Sequence, residues 1–123
     1  MEIIIDGVAY QFKAGIGFMY KADKRFVTKD EIGHEKKVGL TYLIADIMDG
    51  SIETLIESLL MMNEGQSPRI KKEQLEAYIE DESTDVDALF EDVLDFFGKS
   101  NCTKRTVRQL KKMVEAQKEK TED

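Results

Sequence analysis

VGLTYLIADIMDGSIETLIESLLMM, residues 38–62, is the densest apolar stretch of the chain, and its reading decides the fold. Leu40, Leu43, Ile44, Ile47 and Met48 recur at helical spacing, and Ile52, Leu55, Ile56, Leu59 and Leu60 repeat the template. Each segment therefore carries one apolar stripe that must be buried against another element. Only Asp49, Gly50 and Ser51 separate the two. Gly50 suits the left-handed position that ends a helix, and the Ser51 hydroxyl can cap the next one. So short a connection returns the second helix beside the first as an antiparallel helical hairpin. This is the core-forming unit, and it contains no catalytic constellation.

A chain of 123 residues supports one core. Apolar residues supply 41% of it, enough to argue against a wholly disordered protein. No apolar run reaches the ~18 residues of a membrane span, so no membrane partner is expected. Met1 and Glu2 lead directly into strand residues without a basic region or a cleavage site, so a secretory leader is not expected. Cys102 is the only cysteine, which excludes an internal disulfide and a thiolate metal cluster. A cytoplasmic protein is the expectation.

The net charge of −7 disfavours nucleic acid as a partner, because phosphate binding needs clustered Lys and Arg. Charge is also unevenly placed. No basic residue occurs from Glu73 to Asp95, whereas Glu76, Glu80, Asp81, Glu82, Asp85, Asp87, Glu91 and Asp92 lie between. After Lys99 the sign reverses, with Lys104, Arg105, Arg108, Lys111, Lys112, Lys118 and Lys120 outnumbering Glu115, Glu119, Glu122 and Asp123. The two blocks could pair within or between subunits; two separately solvated helix faces are the simpler reading.

Working outward, Glu2–Ile5, Asp6-Gly7 and Val8–Lys13 form a hairpin signal, since Asp-Gly suits a two-residue turn whose residues need positive φ. Val8, Tyr10 and Phe12 alternate onto one inward face, and Ile3 and Ile5 share a face with Ile4 opposite. A lone ribbon is marginal in water, so this one must lie on the helices or pair with another edge. The spacing predicts a helix over 16–27, with Phe18, Met19, Ala22 and Phe26 on one side. Gly15 and Gly17 around Ile16 lack the rest of a phosphate-loop signature and fit a tight strand-to-helix turn. Thr28–Lys37 reads as a polar loop holding the single histidine, His34, with no neighbour to make a metal site.

Ser67-Pro68 can cap and start a helix carrying Leu75, Tyr78 and Ile79, though Lys71 is an equal candidate for its start. Thr84 with Asp87 is a variant capping box before Val86, Leu89, Phe90, Val93, Leu94 and Phe97, with Gly98 as the stop. The acids opposite that stripe lack the spacing and glycine of a calcium loop, and no pair lies in an evident cleft. Thr103 is a candidate cap for the last helix, whose stripe of Val107, Leu110, Met113 and Val114 is thin. The expected fold is therefore α+β and predominantly α. An N-terminal β-hairpin precedes about five to six helices packed around the central helical hairpin. Residues 1–101 would form the globular domain and 102–123 a basic C-terminal helical arm. No enzymatic activity, cofactor or metal is expected, because no nucleophile has a base and no ligand set exists.

Taken together, certain residues resemble a known family. These are the Asp6-Gly7 hairpin, Gly15-Ile16-Gly17-Phe18, Asp23-Lys24 and Val38-Gly39-Leu40. Glu80-Asp81, Asp87-Ala88-Leu89-Phe90 and Thr103-Lys104-Arg105-Thr106-Val107 complete the set. Across most of residues 2–110 the chain resembles the tail assembly chaperones of long-tailed bacteriophages infecting Gram-positive bacteria, or of prophages in their genomes. The resemblance implies binding of the long, aggregation-prone tape measure protein in the host bacterial cytoplasm. The client would stay soluble until tail tube subunits polymerise round it. It leaves room for contact with the tail tube protein, for self-association, and for a longer form made by frameshifting.

A holdase of this kind needs adaptable apolar contacts, and Met61, Met62, Phe18, Met19 and Tyr78 are the partner-binding candidates. Methionines that simply fill a core are the plainer alternative. Met61 follows Glu57 by four residues and Ser58 by three, which sets it on the polar side of its helix. Either another helix, such as that of Leu75 and Tyr78, covers it, or it is exposed beside Met62. The competing functional reading is an acidic protein that mimics nucleic acid and inhibits a DNA-binding enzyme, suggested by the Glu73–Asp95 block.

Overall fold

The computed structural model describes residues 1–121. It begins with β1 (Glu2–Ile5), β2 (Val8–Gln11), α1 (Ile16–Asp23), β3 (Val27–Lys29) and β4 (Glu35–Lys37). The helices α2 (Gly39–Met48), α3 (Ile52–Asn63), α4 (Lys72–Glu80), α5 (Val86–Lys99) and α6 (Lys104–Thr121) follow. The fold is α+β and predominantly α, with the N-terminal antiparallel hairpin followed by six helices. Glu122 and Asp123, the end of the expected C-terminal arm, lie outside the described residues.

The central helical hairpin is α2 and α3. Gly50 takes φ +86° between them, and the Ser51 hydroxyl accepts from the Thr54 amide at 3.2 Å. Leu40, Leu43, Ile44 and Ile47 are buried from α2, and Leu55 and Leu59 from α3. The α3 stripe is turned from the expected one. Thr54, Ser58, Met62 and Asn63 are buried, whereas Ile52 is exposed. Ser58 is tolerated inside because its hydroxyl donates to the Thr54 carbonyl of its own helix at 2.7 Å, so no polar group is stranded.

The other helices pack round this pair. Phe18 of α1 stacks on Phe97 of α5 with centroids 5.6 Å apart and planes 18° from parallel. The Asp23 carboxylate accepts from the Leu40 amide at 3.3 Å. A side chain from the end of α1 thus caps the start of α2, where Val38 makes no cap of its own. Lys21 bridges to Glu64 at the end of α3, and Arg25 to Glu57 within it.

β1 and β2 pair in the register Ile3–Tyr10 and Ile5–Val8. Ile3, Ile5, Tyr10 and Phe12 face the core. Val8, expected to join them, is exposed beside the turn. Asn63, fully buried, ties the sheet to the helices. Its amide nitrogen donates to the carbonyls of Gln11 at 3.0 Å and Pro68 at 3.3 Å. Its oxygen accepts from the Ile70 amide at 2.8 Å.

Several expected boundaries move. The helix read over 16–27 ends at Asp23. The chain beyond it joins a second hairpin: the Phe26 carbonyl accepts from the Val38 amide at 2.9 Å, and β3 pairs with β4. The polar loop expected over 28–37 is therefore largely this hairpin. Its turn is held by Asp30, whose carboxylate accepts from the amides of Ile32 and His34.

α4 starts at Lys72, after a cis Ser67–Pro68 peptide, so Pro68 does not open it. Gln74 reaches back to accept from the Lys71 amide at 2.8 Å. Asp85, not Thr84, caps α5, accepting from the Ala88 amide at 3.0 Å. α5 runs one residue past Gly98. Thr103 is buried and donates its hydroxyl to the Phe97 carbonyl at 2.6 Å.

Candidate functional site

The stripe of α5 is two ridges wide. Leu89, Val93 and Phe97 form the inner ridge, which is buried. Val86, Phe90 and Leu94, also spaced by four, form the outer one and stay half-buried. Facing the outer ridge is the corner between α2 and α3. The left-handed turn at Gly50 brings Met48 and Ile52 together there. Between ridge and corner lies a groove of about 510 Å³, lined by Ile47, Met48, Ile52, Val86, Phe90 and Leu94. Asp87 and Glu91, one position along from the outer ridge, stand at its rim.

The groove has an apolar floor, an unbranched Met48 that can adapt to what it meets, and a negative margin. Such a surface suits the apolar face of a helical segment flanked by Lys or Arg. Among the described residues, no three His, Cys, Asp or Glu side chains gather as a metal site. The acids of the Glu73–Asp95 block stay largely unneutralised. Among the described residues Asp95 alone of them forms an ion pair, with Lys99 at 2.8 Å. That contact holds the Lys99 ammonium above its ordinary range. The Ser83 hydroxyl and amide, both donating to Asp81, hold its carboxyl below the usual carboxylate range.

The five residues singled out from sequence are not gathered onto one surface. Phe18 and Met62 are core residues, 4% and 1% exposed. Met19 and Met61 are half-buried and packed on the core. Position 61 lies four residues after Glu57 and three before Glu64, the two acids that bridge to Arg25 and Lys21. Lys21 of α1 and Arg25 just beyond it therefore lie along that face of α3. Tyr78 is half-buried beside β1, lining two depressions with Ile4. In the sequence Met48, Ile52, Phe90 and Leu94 read as ordinary core. The signal for the groove was the width of the α5 stripe, more apolar surface than one neighbour can cover.

This is a small, predominantly helical protein with an apolar groove beside α5. Residues 2–112 match the model of the phage tail assembly chaperone protein family, TAC. The chain belongs to that family. No curated protein and no solved structure matches it. Among the described residues, no helix is long and apolar enough to cross a membrane.

Proposed function

We propose that this chaperone binds the tape measure protein in the host cytoplasm and keeps it soluble until the tail tube assembles round it. The observation that carries the reading is the groove between α5 and the α2–α3 corner, apolar within and acidic at its rim. A long helical client exposes apolar stripes that would otherwise self-associate, and covering one such stripe at a time is what a holdase must do. Membership of a tail assembly chaperone family weighs against the nucleic-acid mimic. The Glu73–Asp95 acids then serve solubility and attraction of basic client segments.

Co-expression tests the proposal. With the wild-type chain, the tape measure protein should remain in the soluble fraction and co-purify. The Ile52→Glu/Phe90→Glu double variant places two carboxylates in the groove at positions that are already partly solvated. It should fold, by circular dichroism, yet leave the client insoluble. Full solubilisation and co-purification by the folded double variant would rule the groove out.

A further inference from the structure

The N-terminal hairpin has one edge in use and one edge open. Met1 and Phe12 exchange backbone hydrogen bonds, at 3.2 Å from the Met1 amino group to the Phe12 carbonyl and 2.8 Å in return. Hydrogen-bonded pairs alternate along an antiparallel ladder. Ile3–Tyr10 and Ile5–Val8 are therefore the next such pairs, and Glu2 and Ile4 turn their N–H and C=O groups away from β2. The outer side of β2 is occupied at its C-terminal end, where the Gln11 carbonyl accepts from the Asn63 side-chain amide at 3.0 Å and, just past the strand, the Lys13 amide donates to the Met62 carbonyl at 2.8 Å. Nothing comparable covers β1 among the described residues.

Two depressions, about 490 and 390 Å³, meet at Ile4 and Tyr78 and follow β1 along its length. Their far walls are α4 with the loop after it, and the first half of α5. The trough is lined by Glu2, Asp6, Glu73, Asp81, Asp85 and Asp92, and no lining residue carries a positive charge. At its centre Ile4 is 62% exposed. Edge strands are ordinarily protected by shortness, charge, proline, a bulge or a covering element. β1 is short and carries one charge, Glu2, but it has no lysine, proline or bulge and leaves Ile4 open.

We propose that the open edge of β1 receives an extended, basic segment of a partner polypeptide as a third strand. Backbone hydrogen bonds to Glu2 and Ile4 hold the segment, the Ile4 side chain supplies apolar contact, and the carboxylates select Lys or Arg. The same carboxylates disfavour a second copy, since pairing two β1 edges would bring acid against acid. The site is distinct from the α5 groove and does not depend on the function proposed for that groove.

The test uses the full-length, isotope-labelled chain and two acetylated hexapeptides, Lys-Val-Lys-Val-Lys-Val and Glu-Val-Glu-Val-Glu-Val. At millimolar peptide and low salt, the lysine peptide should bind and slow amide exchange at Glu2 and Ile4 by at least about tenfold. The glutamate peptide should leave both unchanged. Asp92→Lys, on α5, should weaken binding, and Ile4→Pro, which removes an outward-facing donor, should abolish protection at Glu2. Phe90→Glu should leave it intact. Absence of lysine-peptide binding, binding without protection at Glu2 and Ile4, equal binding of the acidic peptide, or dimerisation through β1 alone would each overturn the proposal.

Discussion

Gly39 lies so close to Ala22 that a Cβ placed on it would sit 1.9 Å from the Ala22 carbonyl oxygen. The Asp23 carbonyl oxygen would be 2.9 Å away, so the obstacle is the backbone end of α1 and not a side chain that could swing aside. Absence of a side chain at 39 is what lets α2 start against α1 and receive the Asp23 cap. Two of the stretches that carry the resemblance read from the sequence, Asp23-Lys24 and Val38-Gly39-Leu40, thus meet in space.

Gly39→Ala should accordingly be costly. Overpacking a tight contact costs about 1–3 kcal/mol, and an immovable carbonyl puts this site at about 3 kcal/mol or above. Urea unfolding should show a lower midpoint at an unchanged slope. An alanine variant as stable as the parent would mean that α1 can move off α2 freely.

Asn63 is the second point of leverage. Replacement by Leu preserves bulk but leaves the Ile70 amide and two carbonyls without their partner. A buried group left unpaired costs about 1–3 kcal/mol, so a loss of roughly 3 kcal/mol is expected. Amide exchange at Ile70 should accelerate more than global unfolding accounts for. Unchanged protection there would show that another acceptor replaces the Asn63 oxygen.

These two residues also mark where the sequence stopped being readable. The α2–α3 hairpin was plain because its stripes, Gly50 and Ser51 all point the same way. The face of α3 was misdrawn because Thr54, Ser58 and Asn63 look solvated in sequence, yet each finds its hydrogen bonds inside the fold. Burial of a polar residue depends on where its partner lies, and for Asn63 that is 52 residues away at Gln11. The β3–β4 hairpin escaped notice for a different reason. It is held by backbone pairing with little burial, and Val27 is 45% exposed, so no alternation announces it. In the groove the floor residues Ile47, Met48, Ile52, Val86, Phe90 and Leu94 read as apolar in sequence, but which ridge of α5 would lack a neighbour is a property of packing.

The last helix separates into a docked part and a projecting part. Thr103 and Val107 are buried, Leu110 is packed on the core, and beyond it Met113 and Val114 are 64% and 44% exposed. Two truncations should therefore behave differently. Ending the chain after Lys112 removes solvated turns and should change stability by about 0.5 kcal/mol or less. Ending it after Asn101, the boundary suggested by charge, removes the cover that Val107 gives to the core. It also removes the Thr103 hydroxyl that donates to the Phe97 carbonyl at 2.6 Å. Losing a buried valine costs about 1.5–3 kcal/mol and the hydrogen bond about 1 more. The shorter protein should still unfold cooperatively, because α1–α5 keep the Phe18–Phe97 stack, but its midpoint should fall well below that of the longer one. Equal midpoints for the two truncations would show that α6 contributes nothing to the core, and loss of any cooperative transition would show that the fold needs it.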